Sequence, residues 1–204
     1  MSCLETLPPP PLAESCIAVL ETKRLVLRAP RLEDAKAIAA IANDRRIAEN
    51  TARIPYPYRA SDAEGWISSS NIAPGNETYV ITLNGAIIGG CGFDLGDGNL
   101  GDGTAPEIGY WLGAKHWGKG YATEAARALI DHAFTNLKHQ ALQSSVRVTN
   151  PQSRRVLEKC GFQWNGVGLC RIRALGSSVP VDRFRLERGI WTALKSWGPV
   201  TRVV

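Results

Sequence analysis

The apolar residues of this chain switch between two periods, and the switches mark out an alternation of strands and helices. Residues 24–29 (Arg-Leu-Val-Leu-Arg-Ala) alternate as a half-buried strand does. Leu32, Ala35, Ile38, Ala39 and Ala42 then fall on one helix face. Residues 44–60 keep no period and are broken by Pro55 and Pro57. Ser61-Asp62-Ala63-Glu64 has the form of a capping box opening a helix that carries Trp66 and Ile67. Two strands, 78–83 and 86–93, flank Asn84-Gly85, a two-residue hairpin signal. A Gly/Asp-rich loop over 94–105 leads to a strand at 106–112 and an Ala-rich helix near 122–137. The pattern then predicts a strand at 142–149, a helix at 151–160 and a final strand pair at 163–173 and 181–187. The order is mixed α+β, without repeats or an interior linker.

The junction between strand 106–112 and the Ala-rich helix carries the first chemistry. The strand reads Glu107-Ile108-Gly109-Tyr110-Trp111-Leu112, and it runs through residues 113–116 into Trp117-Gly118-Lys119-Gly120-Tyr121-Ala122-Thr123-Glu124. A glycine loop at a helix N-terminus offers unpaired backbone N–H groups, the positive end of the helix dipole and room for close approach, which together suit a phosphate. The Walker pattern is missing. The dinucleotide fingerprint fails because Thr123 stands where its third glycine belongs.

A second constellation lies downstream. Residues 150–162 read Asn-Pro-Gln-Ser-Arg-Arg-Val-Leu-Glu-Lys-Cys-Gly-Phe. Asn150 suits an N-cap, Pro151 the first helical turn, and Gly161 a left-handed residue just past the helix end. Val156, Leu157 and Cys160 give the apolar stripe. As structure alone this is a complete short helix. Taken together and in this order, however, the two segments resemble those of the GNAT superfamily of N-acetyltransferases. They are most similar to the branch of ribosomal-protein N-terminal acetyltransferases, which carries Trp-Gly-Lys-Gly-Tyr-Ala-Thr-Glu-Ala and Asn-x-x-Ser-x-x-Val-x-x-Lys-x-Gly-Phe. The resemblance covers about residues 21–195. Trp117 takes a position that is Gln or Arg in the superfamily's general motif.

The resemblance implies a GNAT fold, with a mixed, mostly antiparallel sheet splayed between its fourth and fifth strands and flanked by helices. It implies acetyl-CoA as cosubstrate and no metal. The donor-binding residues are then Trp117, Gly118, Lys119, Gly120, Tyr121, Ala122 and Thr123, with the Asn150 side chain reaching the pantetheine or acetyl end. Many relatives place a tyrosine proton donor seven residues after this asparagine; here that position is Leu157. Ser153 resembles the residue this branch offers instead. Its alternative role is that of an ordinary first-turn residue. Acetyl transfer to an amine needs a proton acceptor, and Glu107 is the expected base because burial in an apolar strand raises a carboxyl group's pKa. A charge facing water is the other reading, and attack by the free amine with water as base stays open. The oxyanion donor is expected among the backbone N–H groups of residues 109–112. His116, His132 and His139 are read as surface or structural histidines. For the acceptor site, residues 50–59, the Trp66 helix and the loop at 174–180 are expected to contribute, with Tyr56, Tyr58 and Trp66 as an aromatic wall.

Composition agrees. With 204 residues and 44% hydrophobic content, one domain is expected over 21–197, between an N-terminal tail (1–20, flexible, Pro-rich) and a C-terminal tail (198–204). The tail lacks the basic start of a secretory signal, and no apolar run reaches spanning length. Five cysteines without CxxC spacing suit buried thiols in a reducing cytoplasm. Residues 145–204 hold 11 Lys/Arg against 3 Asp/Glu, or +8, which leaves the preceding part at −3 in a chain of net +5. A positive field over coenzyme A phosphates and a solvated sheet face are both open readings of that excess. Nucleic acid ranks last as a partner because no binding module accompanies the charge. The acceptor is expected to be a primary amine at a protein N-terminus. The alternatives are a small amine (a polyamine, amino acid or antibiotic) or a silent acyl-CoA-binding module. A homodimer is left open.

Overall fold

A computed structural model describes residues 17–70, 76–95 and 105–196. Eight strands form one sheet: β1 (Leu20–Glu21), β2 (Leu25–Arg28), β3 (Glu77–Leu83), β4 (Ala86–Asp94), β5 (Glu107–Leu112), β6 (Ala141–Arg147), β7 (Gln163–Ile172) and β8 (Ser177–Glu187). Their spatial order is β1-β2-β3-β4-β5-β6-β8-β7. Every neighbouring pair is antiparallel except β5 and β6, which run parallel. This is the α+β arrangement expected. The short β1 adds an edge strand, so the expected fourth and fifth strands are β5 and β6.

Six α-helices cover the faces: α1 (Ala35–Ala42), α2 (Arg45–Ala48), α3 (Ala60–Ser69), α4 (Tyr121–Thr135), α5 (Pro151–Lys159) and α6 (Arg188–Ser196). In α4, Ala125, Ala126, Leu129, Ile130, Ala133 and Phe134 recur at helical spacing and are all buried against the sheet. Ile38, Ala42, Ala63 and Ile67 of α1 and α3 pack with Val80 on the opposite face. The Asn84-Gly85 hairpin forms with φ of +50° and +80°, as a two-residue turn of this kind requires. At the end of α5, Gly161 sits at φ +89°, and the Phe162 N–H bonds the Leu157 carbonyl at 3.1 Å.

Three local expectations need correction. Helix α3 begins before Ser61: Arg59 is its N-cap, and Asp62 accepts the Arg59 backbone N–H at 2.9 Å. The turn α2 forms inside the region expected to be irregular, capped by Asp44, which accepts the Arg46 N–H. The C-terminal helix α6 has no counterpart among the expected elements. Trp191 anchors it, with its ring centroid 5.2 Å from that of Phe134 and its indole N–H donated to Asp131 at 2.8 Å. Of the segment expected as a tail, residues 1–16 lie outside the described residues, and Ile17 and Leu20 pack against the core. Residues 198–204 and most of the Gly/Asp-rich loop also lie outside them. Among the described residues, Cys91, Cys160 and Cys170 are buried free thiols, and no helix is long and apolar enough to cross a membrane.

Candidate active site

Strand β5 ends where the sheet opens, and the loop after it is held at both ends. The Gly113 N–H bonds the Ile88 carbonyl at 2.9 Å, and the Trp117 indole N–H is donated back to the Leu112 carbonyl at 2.7 Å. Gly118 and Gly120 follow at φ +74° and +81°. Helix α4 starts immediately, with no side chain capping its first N–H groups. A Cβ on Gly118 would meet nothing within 4 Å, so the loop faces open space. Arg24 braces it from behind, donating to the Lys119 carbonyl at 3.1 Å and pairing with Glu124 at 2.6 Å. Burial alone would raise the Glu124 carboxyl, but hydrogen bonds from Thr22 and Arg24 outweigh it and hold the group below its ordinary value. The acid of the first turn is thus already neutralised, while the backbone donors stay unmatched. Lys115 and Lys119 add positive charge around them. A pyrophosphate fits this cradle by charge, by unpaired donors and by space.

The opening between β5 and β6 is real. The two strands are paired only at Glu107 and Gln143, with the Gln143 N–H on the Pro106 carbonyl and the Ser144 hydroxyl on the Ile108 carbonyl. Backbone groups of a strand point alternately to its two neighbours. Pro106 and Ile108 face β6 and Gly113 faces β4, so the N–H groups of Tyr110 and Leu112 point into the gap. The side chains alternate too. Ile108, Tyr110 and Leu112 face α4 and α5, whereas Trp111 packs with α1 and α3 on the other face, the face that alternation also gives Glu107.

On the α5 side, the Tyr110 hydroxyl lies 3.0 Å from Ser153 Oγ and 3.2 Å from the Ser153 carbonyl. The Ser153 N–H is in turn donated to Asn150 Oδ1 at 3.1 Å, so Asn150 is the N-cap of α5. Asn150 does not line the cavity; Ser153 and Tyr110 do. Leu157, at the position where many relatives carry a tyrosine donor, is only 1% exposed and packs in the core. Tyr110 instead places a hydroxyl beside the first turn of α5. Its place is legible in principle, since it shares the inward parity of Ile108 and Leu112, but an aromatic in an apolar strand reads first as core. Burial pushes the Tyr110 phenol well above its usual value, which keeps it protonated.

On the α3 side, Glu107 sits in the gap with its carboxylate accepting from the hydroxyl and backbone N–H of Ser145. Burial drives its pKa up to about 7, against the opposing pull of those bonds and of the Arg53 charge. A continuous cavity of about 640 Å³ joins the two sides. The end expected to take the acceptor is walled by residues 50–55, Tyr58, Trp66 and Trp111. Tyr56 does not line it, being 47% exposed, and the loop at 174–180 does not reach it, although Arg173 and Val181 on either side of that loop do. The three histidines stand apart. His132 Nε2 lies 2.9 Å from a Glu77 carboxylate oxygen, His139 is close to Phe93, and the His116 imidazole is pushed below its ordinary value by burial and by Lys115 and Lys119. Among the described residues no group of three or more His, Cys, Asp or Glu could hold a metal ion.

Residues 24–163 match the acetyltransferase (GNAT) domain family. The chain belongs to this family. It is 32% identical over 171 residues to an uncharacterized N-acetyltransferase, p20, of Bacillus licheniformis, covering 82% of this chain and 94% of that protein. A stretch of 60 residues is 40% identical to the ribosomal-protein-serine acetyltransferase of Escherichia coli, covering 29% of this chain and 34% of the other. The fold superposes with a TM-score of 0.72 and 18% identity on RimL, a ribosomal L7/L12 alpha-N-protein acetyltransferase solved with coenzyme A, covering 83% of this chain and 98% of that one. As a GNAT N-acetyltransferase, the protein takes its acetyl group from acetyl-CoA.

Proposed function

We propose that the acceptor is the α-amino group of a protein N-terminus, acetylated across the gap between β5 and β6. The observation that carries the reading is the division of groups between the two sides of that gap. Glu107 faces the acceptor side, and Tyr110 and Ser153 face the side where the donor thiol must lie if its pyrophosphate rests on residues 118–123. The similarity of a short stretch to a ribosomal-protein-serine acetyltransferase supports a peptide acceptor. A cavity that runs from the acceptor wall through the sheet has room for the first residues of a chain.

In this reading the amine nitrogen attacks the thioester carbonyl and the carbon–sulfur bond breaks. Glu107 takes the proton that the amine loses. The backbone N–H groups of Tyr110 and Leu112 hold the carbonyl oxygen as it gains charge. The Tyr110 hydroxyl anchors Ser153 at its Oγ and its carbonyl, and this hydroxyl pair supplies the hydrogen that meets the departing sulfur. Asn150 positions Ser153 by capping α5, and its side-chain N–H groups remain for the pantetheine end. Trp117 sets the loop against β5, while Gly118, Lys119, Gly120, Tyr121, Ala122 and Thr123 hold the pyrophosphate.

Two measurements test this. Cell extract incubated with the protein and isotopically labelled acetyl-CoA should acquire label on protein N-termini. Label confined to the metabolite fraction would replace the peptide by a small amine, and no enzyme-dependent label with donor binding intact would make the protein a silent module. Separately, Tyr110→Phe and Ser153→Ala should each lower kcat about tenfold at unchanged acetyl-CoA affinity, because a positioned hydrogen bond to a leaving group is worth about that much. The double variant should be little worse than either, since the two groups act as one unit. Additive losses would mean that they act separately.

A further inference from the structure

Beside the acceptor end of the cavity lies a second one, lined by Ala52, Arg53, Arg171 and Arg173, the first, second and fourth of which line both. The wall between them is fixed, because the Arg173 backbone N–H is donated to the Ala52 carbonyl at 2.9 Å. The charge at this mouth is uneven. Elsewhere, Arg24, Arg28, Arg31, Arg45, Arg46, Arg154 and Arg185 each hold a carboxylate, whereas Arg127 and Arg188 are held by backbone carbonyls instead. Arg53 is likewise matched by Asp94. Arg171 and Arg173 are exposed, and neither has a carboxylate partner among the described residues. Arg147, which also lines the main cavity, donates to the Glu49 carbonyl at 2.6 Å and has no carboxylate partner among the described residues. The acidic groups nearby offset only part of this charge: Asp94 serves Arg53, Glu107 is held deeper in the gap, and Asp62 keeps its charge while accepting the Arg59 N–H, so four arginines stand against three acids along the two cavities.

Guanidinium groups in excess of acids at the mouth of a site can receive an anion from the ligand. We propose that Arg147, Arg171 and Arg173 select an acceptor that bears a carboxylate near its reacting amine, namely a peptide with acidic residues directly after its N-terminus. This rests on the reading of the acceptor as a protein N-terminus. It also places part of the excess positive charge of residues 145–204 on the acceptor side of the sheet, away from the donor phosphates.

The test uses the full chain, acetyl-CoA and peptides that differ only at their second to fourth residues, which are acidic, neutral or basic. The acidic peptide should show a kcat/KM about tenfold above the neutral one, carried by KM and shrinking as salt is added, as expected for partly exposed charge pairs. In an Arg171→Glu/Arg173→Glu protein the acidic peptide should fall below the neutral one at unchanged acetyl-CoA affinity. Arg171→Lys/Arg173→Lys should keep most of the preference. Equal turnover of acidic and neutral peptides by the natural protein overturns the proposal and leaves N-terminal acetylation standing. If no peptide is turned over, the N-terminal reading fails instead. Amino acids compared with the matching decarboxylated amines then decide the anion site, with a carboxylate preference upholding it and equal rates overturning it. Should nothing be turned over, fluorescence anisotropy of an N-acetylated acidic peptide decides it. Binding that the charge-reversed protein loses supports the site, and binding equal in both proteins, or none, overturns it.

Discussion

A Gly120→Val protein is expected to keep its fold and lose its acetyl-CoA. Gly120 stands at φ +81°, a conformation that a β-branched residue adopts only under a strain of about 1–3 kcal/mol. Its new Cβ would lie 3.4 Å from Arg24 Nη2, and the valine methyl groups beyond it would press on the guanidinium that holds the Lys119 carbonyl and Glu124. Relief of both requires the backbone of residues 118–121 to turn, and the N–H groups then cease to converge. Each charge-assisted hydrogen bond to phosphate is worth about 1.5–3 kcal/mol, so losing two weakens binding by roughly 100-fold or more. The loop is exposed and outside the core, so the melting temperature should fall by only a few degrees. Isothermal titration with coenzyme A beside a thermal melt reads both quantities. Unchanged affinity in a folded variant would remove the phosphate loop from this site.

A feature of this fold is legible in the sequence where its signal is local. The Asn84-Gly85 hairpin, the glycine loop before α4 and the cap and stop of α5 are all readable, because each is a short-range backbone requirement written in two or three residue types. The start of α3 is easily misplaced because Arg59 is an uncommon cap, and the reciprocal bond comes from Asp62, not Glu64. Helix α6 escapes a reading of the sequence although Ile190, Trp191 and Leu194 have helical spacing. Its stability comes from distant partners, with Trp191 on Asp131 and Phe134 and Lys195 on Asp131, and no local cap announces it.

The site shows the same limit. Glu107 and Ser153 stand out by residue type and by motif. Tyr110 does not, because its role depends on a serine 43 residues away in sequence and on which way the strand alternates. Ser145, the partner that holds Glu107, lies on β6, and only the parallel pairing of β5 with β6 at Glu107 and Gln143 brings the two together. The arginines at the acceptor mouth are visible as charge, but their lack of acidic partners is a fact of three dimensions. Charge counts along a chain say how much there is, and packing alone says how much is left unmatched.

The second large effect concerns Glu107 itself. Glu107→Gln should lower kcat about 100-fold near neutral pH, within the range for loss of a positioned general base. The natural protein should gain activity as pH rises through about 7, where the carboxyl ionises, and the variant should lack that limb of the profile. Stability should move the other way. The Glu107 pKa is raised on folding from 4.5 to about 7, so the folded protein binds the proton more tightly than the unfolded chain does. Ionising the group in place therefore opposes folding. The penalty is absent below about pH 4.5, grows as pH rises through the folded pKa, and is complete above it. At pH 8 it amounts to about 3 kcal/mol. Glutamine still offers an amide oxygen to the Ser145 donors without carrying the buried charge, so the variant should melt higher than the natural protein at pH 8 and at the same temperature near pH 4. Retained activity would hand the proton to water. Equal melting at pH 8 would mean that the carboxylate is well solvated, and with it the case for a tuned base would fall. An inactive but stabilised protein is the combination that only a buried, ionising base produces, since a carboxylate kept for structure would be missed in the melt and one facing water would be missed in neither.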